Sequence, residues 1–184
     1  MSEGSPSQRL PRQLNPRKFA YAGVEIEGSI DSATMTRLAE AVDSIGDLSA
    51  RLVFLIREDG KMVVTGTAKA GLAYQCQRCL QSMNETTVEL DLLVALVRNE
   101  DEAKALPGTL EPWVVEEDEA DVYALIEDEL LLSLPVVSYH EEACVEASLM
   151  SSGDDLEAPE TEKDNPFSVL SALKSTDGGA QDES

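Results

Sequence analysis

The turn Cys76-Gln77-Arg78-Cys79 stands between two strand-like runs, and no other stretch narrows the fold as much. Downstream, from Thr86 to Arg98, Val88, Leu90, Leu92 and Val94 alternate with Thr87, Glu89 and Asp91, the period of a strand with one buried face. Upstream, Arg51 to Arg57 and Met62 to about Ala73 are strand-like and joined by Glu58-Asp59-Gly60-Lys61, where Gly60 can supply the positive φ of a hairpin turn. Strands that follow one another through short connections pair antiparallel, so the two cysteines fall at the second corner of a meander. A corner projecting beyond the sheet is open to a metal or a partner.

The chain has only one further cysteine, Cys144, and its single histidine, His140, stands four positions before it. Three thiols and one imidazole are the complement of a closed tetrahedral Cys3His site, in which the C-x-x-C turn gives two thiolates and a distant pair completes the shell. On this count Cys76, Cys79, His140 and Cys144 are the candidate ligands of a structural zinc ion. The alternative is that Cys76 and Cys79 are small, semi-buried hydrophobes in a hairpin and His140 a loop residue, since Leu80 and Gln81 stand where zinc knuckles usually carry a more permissive residue. A redox C-x-x-C normally opens a helix that lowers the thiol pKa, whereas strand-like sequence flanks this one. A Cys–His nucleophilic pair lacks an identifiable orienting residue.

Charge divides the chain. The net charge of −22 arises almost wholly beyond residue 80: residues 1–80 carry 10 Lys and Arg against 9 Asp and Glu, residues 81–184 carry 4 against 27. The second half would repel phosphate, so direct RNA contact belongs to the first half, and the acidic surface suits a basic protein partner. Three cysteines do not make a disulfide scaffold and fit a reducing compartment. The first twenty residues have no apolar core of a signal peptide, and the run from Leu130 to Val137 is broken by Ser133 and Pro135, so no membrane span is expected.

Taken in order, residues 1–18 read as a basic flexible arm with Arg9, Arg12, Arg17 and Lys18 among prolines. A globular domain is expected over 19–145. It begins with a strand between Tyr21 and Ile30, followed by a helix from Ala33 to Ile45, capped by Asp31 or Ser32 and stopped by Gly46. After the meander come a short helix over 99–106 and an edge strand from Glu111 to Glu117 holding the only tryptophan, Trp113. A second main helix, capped by Asp118 or Asp121, ends at Pro135 and carries Val122, Leu125, Ile126 and Leu130 as its stripe, with Leu131, Leu132 and Leu134 widening the buried surface. Glu129 falls inside that stripe, and Arg78 is a candidate partner for Glu129 or Asp128. Residues 146–164 read as an acidic disordered linker, 165–174 as a short docking helix with Phe167, Leu170 and Leu173 on its apolar side, and 175–184 as a disordered tail. The fold class is thus α+β, an antiparallel meander sheet with two main helices, an acidic disordered linker and a short C-terminal helix.

Three stretches in order resemble the YceD family of bacteria and plastids, the large ribosomal RNA subunit accumulation proteins. They are Cys76-Gln77-Arg78-Cys79-Leu80, the run from Leu125 to Val137 with His140 and Cys144 behind it, and Asn165-Pro166-Phe167-Ser168-Val169-Leu170-Ser171-Ala172-Leu173-Lys174. The likeness spans about residues 14–174. It implies a cytoplasmic, non-enzymatic role in the synthesis, processing or stability of large-subunit (23S) rRNA, and it carries over no catalytic residue. The expected partner is that rRNA or its precursor, met directly or through a basic protein. Arg9, Arg12, Arg17, Lys18 and Arg78 are the candidate RNA contacts, made to the phosphate backbone because few aromatic residues lie near them. The alternative is an acidic adaptor that recruits a basic ribosomal protein or assembly factor without touching RNA.

Overall fold

The computed structural model describes residues 8–146 of the chain. Five strands form one sheet in the order β2 (Glu25–Ser29), β3 (Ser44–Ile56), β4 (Met62–Ala73), β5 (Thr86–Val97) and β6 (Glu111–Val114). The first four pair antiparallel and β6 joins β5 in parallel, which makes the meander mostly rather than wholly antiparallel. The fold class is α+β. Gly60, at φ 80°, closes the β3–β4 turn. Leu48, Ala50, Leu52 and Phe54 of β3, Val64, Ala68, Ala70 and Leu72 of β4, and Leu92 and Val94 of β5 share one face with the main core. The opposite face carries cross-strand ion pairs such as Lys69–Glu89 and Arg51–Glu25 and is solvated, apart from a small cluster of Val63, Ala95 and Leu110.

The N-terminal segment departs from the flexible arm expected over 1–18. From Gln8 it is packed: Leu10 and Leu14 are buried, β1 (Gln13–Leu14) pairs with β7 (Ala120–Asp121), and α1 (Pro16–Ala22) starts at an Asn15 cap with Pro16 in its first turn. The chain passes directly beside Gly28, where a side-chain carbon would lie 2.4 Å from the Leu10 amide nitrogen, and the Leu10 and Ser29 amides donate to Ser29 and Gln8 carbonyls. The Tyr123 hydroxyl donates to the buried Leu10 carbonyl at 2.7 Å. Isolated apolar residues at positions 10 and 14 have no periodicity to betray them; they are recruited by the sheet edge and by α4 (Val122–Ser133). Removing that hydroxyl leaves a buried acceptor unpaired, so Tyr123→Phe is expected to lower unfolding free energy by about 1–2 kcal/mol in urea denaturation.

The helix expected from Ala33 to Ile45 is also cut short. A 3-10 turn (Ser32–Thr34) precedes α2 (Thr36–Ala41), and Val42 is already extended. β3 then begins at Ser44, with Ser44 and Ile45 opposite Ala73 and Leu72, and Gly46 lies in a register shift rather than at a helix end. Pairing with the far half of β4 overrides the helical spacing, because the buried strand Ala70–Ala73 needs backbone partners. The helix over 99–106 shortens to α3 (Glu100–Lys104), and α4 begins at its Asp121 cap, whose carboxylate accepts from the Tyr123 and Ala124 amides.

On α4 the buried carboxylate is Glu127, not Glu129. It accepts the amides of Arg37 at 2.8 Å and Leu38 at 3.0 Å, the first-turn donors of α2, whose preceding residue Met35 offers no side-chain cap. The Arg37 guanidinium bonds Glu127 at 3.1 Å and Asp128 at 2.6 Å, so the partner of these acids is Arg37 and not Arg78. Leu132 is 75 % exposed and Leu131 only partly buried, so the helix's second half is not covered on most sides. Among the described residues no helix is long and apolar enough to cross a membrane.

Candidate metal centre

β4 delivers Tyr74 to the corner, and the connection to β5 folds back on itself there. The Cys76 amide donates to the Gln81 carbonyl, the Met83 amide to the Tyr74 carbonyl, and the Leu80 amide to the Cys76 carbonyl at 2.8 Å. The last bond closes the tight turn around the two cysteines. It places Leu80 at φ 59°, the left-handed region that glycine would take without strain, and Leu80 is the sole described non-glycine residue there. The permissive conformation expected of a metal knuckle is thus present without the permissive residue.

The chain after α4 returns to this corner. Leu134 and Pro135 end the helix, the Gln77 amide donates to the Ser138 carbonyl, and the Ser138 hydroxyl donates to the Gln75 carbonyl at 2.8 Å. Arg78 completes the attachment: its guanidinium donates to the carbonyls of His140 and Glu142 and lies 5.2 Å from the Tyr139 ring centre. Its Nε is buried without a hydrogen-bond partner. Ser138 went unmarked in the sequence, since nothing local signals a contact 63 residues away.

The result is convergence of the four expected residues. One ligand atom from each of Cys76, Cys79, His140 and Cys144 lies within 4.8 Å of every other. Cys76 Sγ is 3.7 Å from Cys144 Sγ, and Cys79 Sγ is 3.4 Å from His140 Nδ1. Sulfurs 3.7 Å apart are not a disulfide, which would need about 2.05 Å; all three cysteines are free. Cys76 is fully buried and the other three are half-buried. Burial alone would raise the Cys76 pKa, but hydrogen bonding from the backbone of Cys79, His140 and Arg78 and from the Cys79 side chain brings it down to about 5. Burial, together with the Cys76 and Cys79 side chains, pushes the Cys144 thiol up, although the Arg78 charge opposes this. A buried sulfur whose pKa the surrounding hydrogen bonds lower, two further thiols and an imidazole can hold a metal ion.

The other residues singled out lie elsewhere. Arg9 pairs with Asp31 and Arg12 with Asp121, both at 2.9 Å, and Lys18 is exposed on α1. Arg17 donates to the carbonyls of Val97, Val115 and Glu117 and ties α1 to the end of β5. Phe167, Leu170 and Leu173 fall outside the described residues, as does nearly all of the acidic linker.

The fold and the cluster define an α+β protein with one main sheet and a Cys3His corner that stitches the C-terminal end of the domain to the meander. Residues 64–174 match the family model described as Large ribosomal RNA subunit accumulation protein YceD. A protein of that description from Haemophilus influenzae is 31 % identical over 169 residues, covering 90 % of this chain and 97 % of its relative. The chain belongs to the YceD family. No solved structure matches it.

Proposed function

We propose that this protein promotes the accumulation of large-subunit ribosomal RNA in the cytoplasm, by binding rather than by catalysis, and that zinc organises its Cys3His corner. The match to YceD proteins along most of the chain supports the link to large-subunit rRNA. The geometry of the corner supports the zinc. A tetrahedral ion with Zn–S of about 2.3 Å and Zn–N of about 2.0 Å has S···S edges near about 3.8 Å and S···N edges near about 3.5 Å, against 3.7 Å between the Cys76 and Cys144 sulfurs and 3.4 Å between Cys79 Sγ and His140 Nδ1. Four protein ligands leave no open coordination position, so such an ion serves structure, as a catalytic zinc would not.

For RNA the useful cations are those that can change partner. Arg9 and Arg12 have side chains 74 % and 56 % exposed, and exposed ion pairs contribute under about 1 kcal/mol, so a phosphate can replace their carboxylates at little cost. Lys18 adds to them. Arg17 and Arg78 serve the phosphate backbone less readily, because each already donates to main-chain carbonyls of the protein. The same observation favours a second reading, the acidic adaptor that recruits a basic ribosomal protein or assembly factor. Deleting the gene is expected to lower large-subunit relative to small-subunit rRNA; an unchanged ratio with normal precursor processing would refute the role. Binding to naked rRNA that weakens steeply with salt supports direct contact, and no binding supports the adaptor.

A further inference from the structure

Beside the exposed end of α4 lies a cleft of about 630 Å3 that the metal corner does not use. Pro112 and Trp113 of β6 form one wall and Leu131 and Leu132 of α4 the other, with Val94 of β5 and Leu125 also among its lining. Leu132 is 75 % exposed. An apolar cleft of this kind on a protein rich in acid needs something to cover it. Its charged lining consists of Glu111, Asp128 and Glu129, with no Lys or Arg. Asp128 has Arg37, whereas Glu111 and Glu129 have no ion-pair partner among the described residues. Burial first, then the charges of Glu111 and Asp128, hold the Glu129 carboxyl above its ordinary range, so Glu129 is crowded by like charge.

We propose that this cleft is a docking groove for a short helix of a partner protein, with an apolar side facing Trp113 and Leu132 and Lys or Arg residues meeting Glu111 and Glu129. Charge complementarity selects that occupant. An acidic apolar groove repels the phosphates of RNA and favours cations flanking an apolar stripe. The neighbouring edge favours a helix over an added strand, because β6 spans four residues and contains Pro112, a short and interrupted template. The groove supplies the surface for the adaptor reading and rests on that reading only for its consequence in the cell.

Trp113 is the only tryptophan of the chain, so its fluorescence reports the groove directly. The full-length protein would be titrated with a tryptophan-free model helix carrying leucines at positions i, i+3, i+4 and i+7 flanked by lysines, and with the same helix carrying glutamates instead. The lysine helix is expected to shift Trp113 emission to the blue with an affinity that falls as salt rises. Glu111→Gln with Glu129→Gln is expected to weaken it about tenfold, and Leu132→Ser to do likewise. Replacing Glu25 by Gln, on the solvated face of the sheet and outside the groove, should leave the affinity for the lysine helix unchanged. Three outcomes would overturn the proposal: no emission change with the lysine helix, equal binding of the glutamate helix, or undiminished binding by the double Gln variant with a normal melting curve. A blue shift produced by single-stranded RNA instead of the helix would also overturn it. The gene-deletion experiment is independent, so failure of the groove and failure of the rRNA role are told apart.

Discussion

Stripping the metal from purified protein is expected to lower its melting temperature sharply, and Cys144→Ser is expected to do the same without a chelator. The corner joins segments more than 60 residues apart, and the ligands come from two loops, one between β4 and β5 and one after α4. Structural zinc in small sites contributes roughly 10 kcal/mol or more of apparent binding free energy at neutral pH. Even about 3 kcal/mol of that expressed as folding stability would move the melting point of a chain this size by about 6–12 °C. Cys144 is the better test than Cys76, because Cys76 is fully buried and its replacement would also disturb the core. One equivalent of zinc should accompany the purified protein and be absent from the Cys144→Ser variant. Zinc-free protein that melts unchanged in chelator would remove the ion from the account.

The two thiols also give the site a direction with pH. Cys76, at about 5, is ionised at neutral pH and offers its sulfur without releasing a proton, whereas Cys144, pushed upward, must lose one when metal binds. Zinc affinity should therefore fall with acidification, and most steeply as the pH approaches about 5, where Cys76 too becomes protonated. In the metal-free protein the Cys76 shift acts as for any depressed acid. Its stabilisation is fully present above the unfolded thiol value of 9.0 and is lost as pH falls through about 5, while the raised Cys144 contributes in the opposite sense. A metal titration at several pH values checks this, and an affinity independent of pH would contradict it.

Glu127→Ala is expected to cost about 3 kcal/mol, the largest loss from a single carboxylate in the described domain. The change strands two first-turn amides of α2, one of them buried, and frees an arginine that has only Asp128 left. Glu127→Gln keeps one acceptor oxygen and should cost roughly half as much. Arg37→Ala should cost less still, since its side chain is 50 % exposed and solvent can take its place at Asp128. Urea midpoints of the three variants rank them. A Glu127→Ala protein within about 0.5 kcal/mol of the parent would show that water satisfies those amides.

Strand β4 was legible to the residue and β5 nearly so, because alternation in a half-buried strand is a local property and Gly60 marks the turn between β3 and β4. The start of β3 was not. From Ser44 to Leu48 helical and strand spacing coexist, and the choice falls to a partner strand tens of residues away. The ligand set was legible from scarcity alone: three cysteines and one histidine leave few ways to build a tetrahedral site. Its conformation was not, for Leu80 at positive φ hides the knuckle that a glycine would have announced.

Charges were the least legible. Counting acids and bases along the chain separated a balanced first half from a strongly acidic second half, since summed charge needs no geometry. Which acid meets which base depends on where helices dock. The wheel of α4 places Glu129 in the stripe, but α2 lies on the side of Glu127, so Glu127 is the one buried and Arg37 the one that answers it. In the same way Arg17 and Arg78 looked like free cations and are main-chain clamps. Periodicity, turn chemistry and ligand count act over a few residues or over composition, and the sequence alone determined them. Pairing across tens of residues pits desolvation against contact, and only the tertiary structure decides which groups are brought close enough to share it.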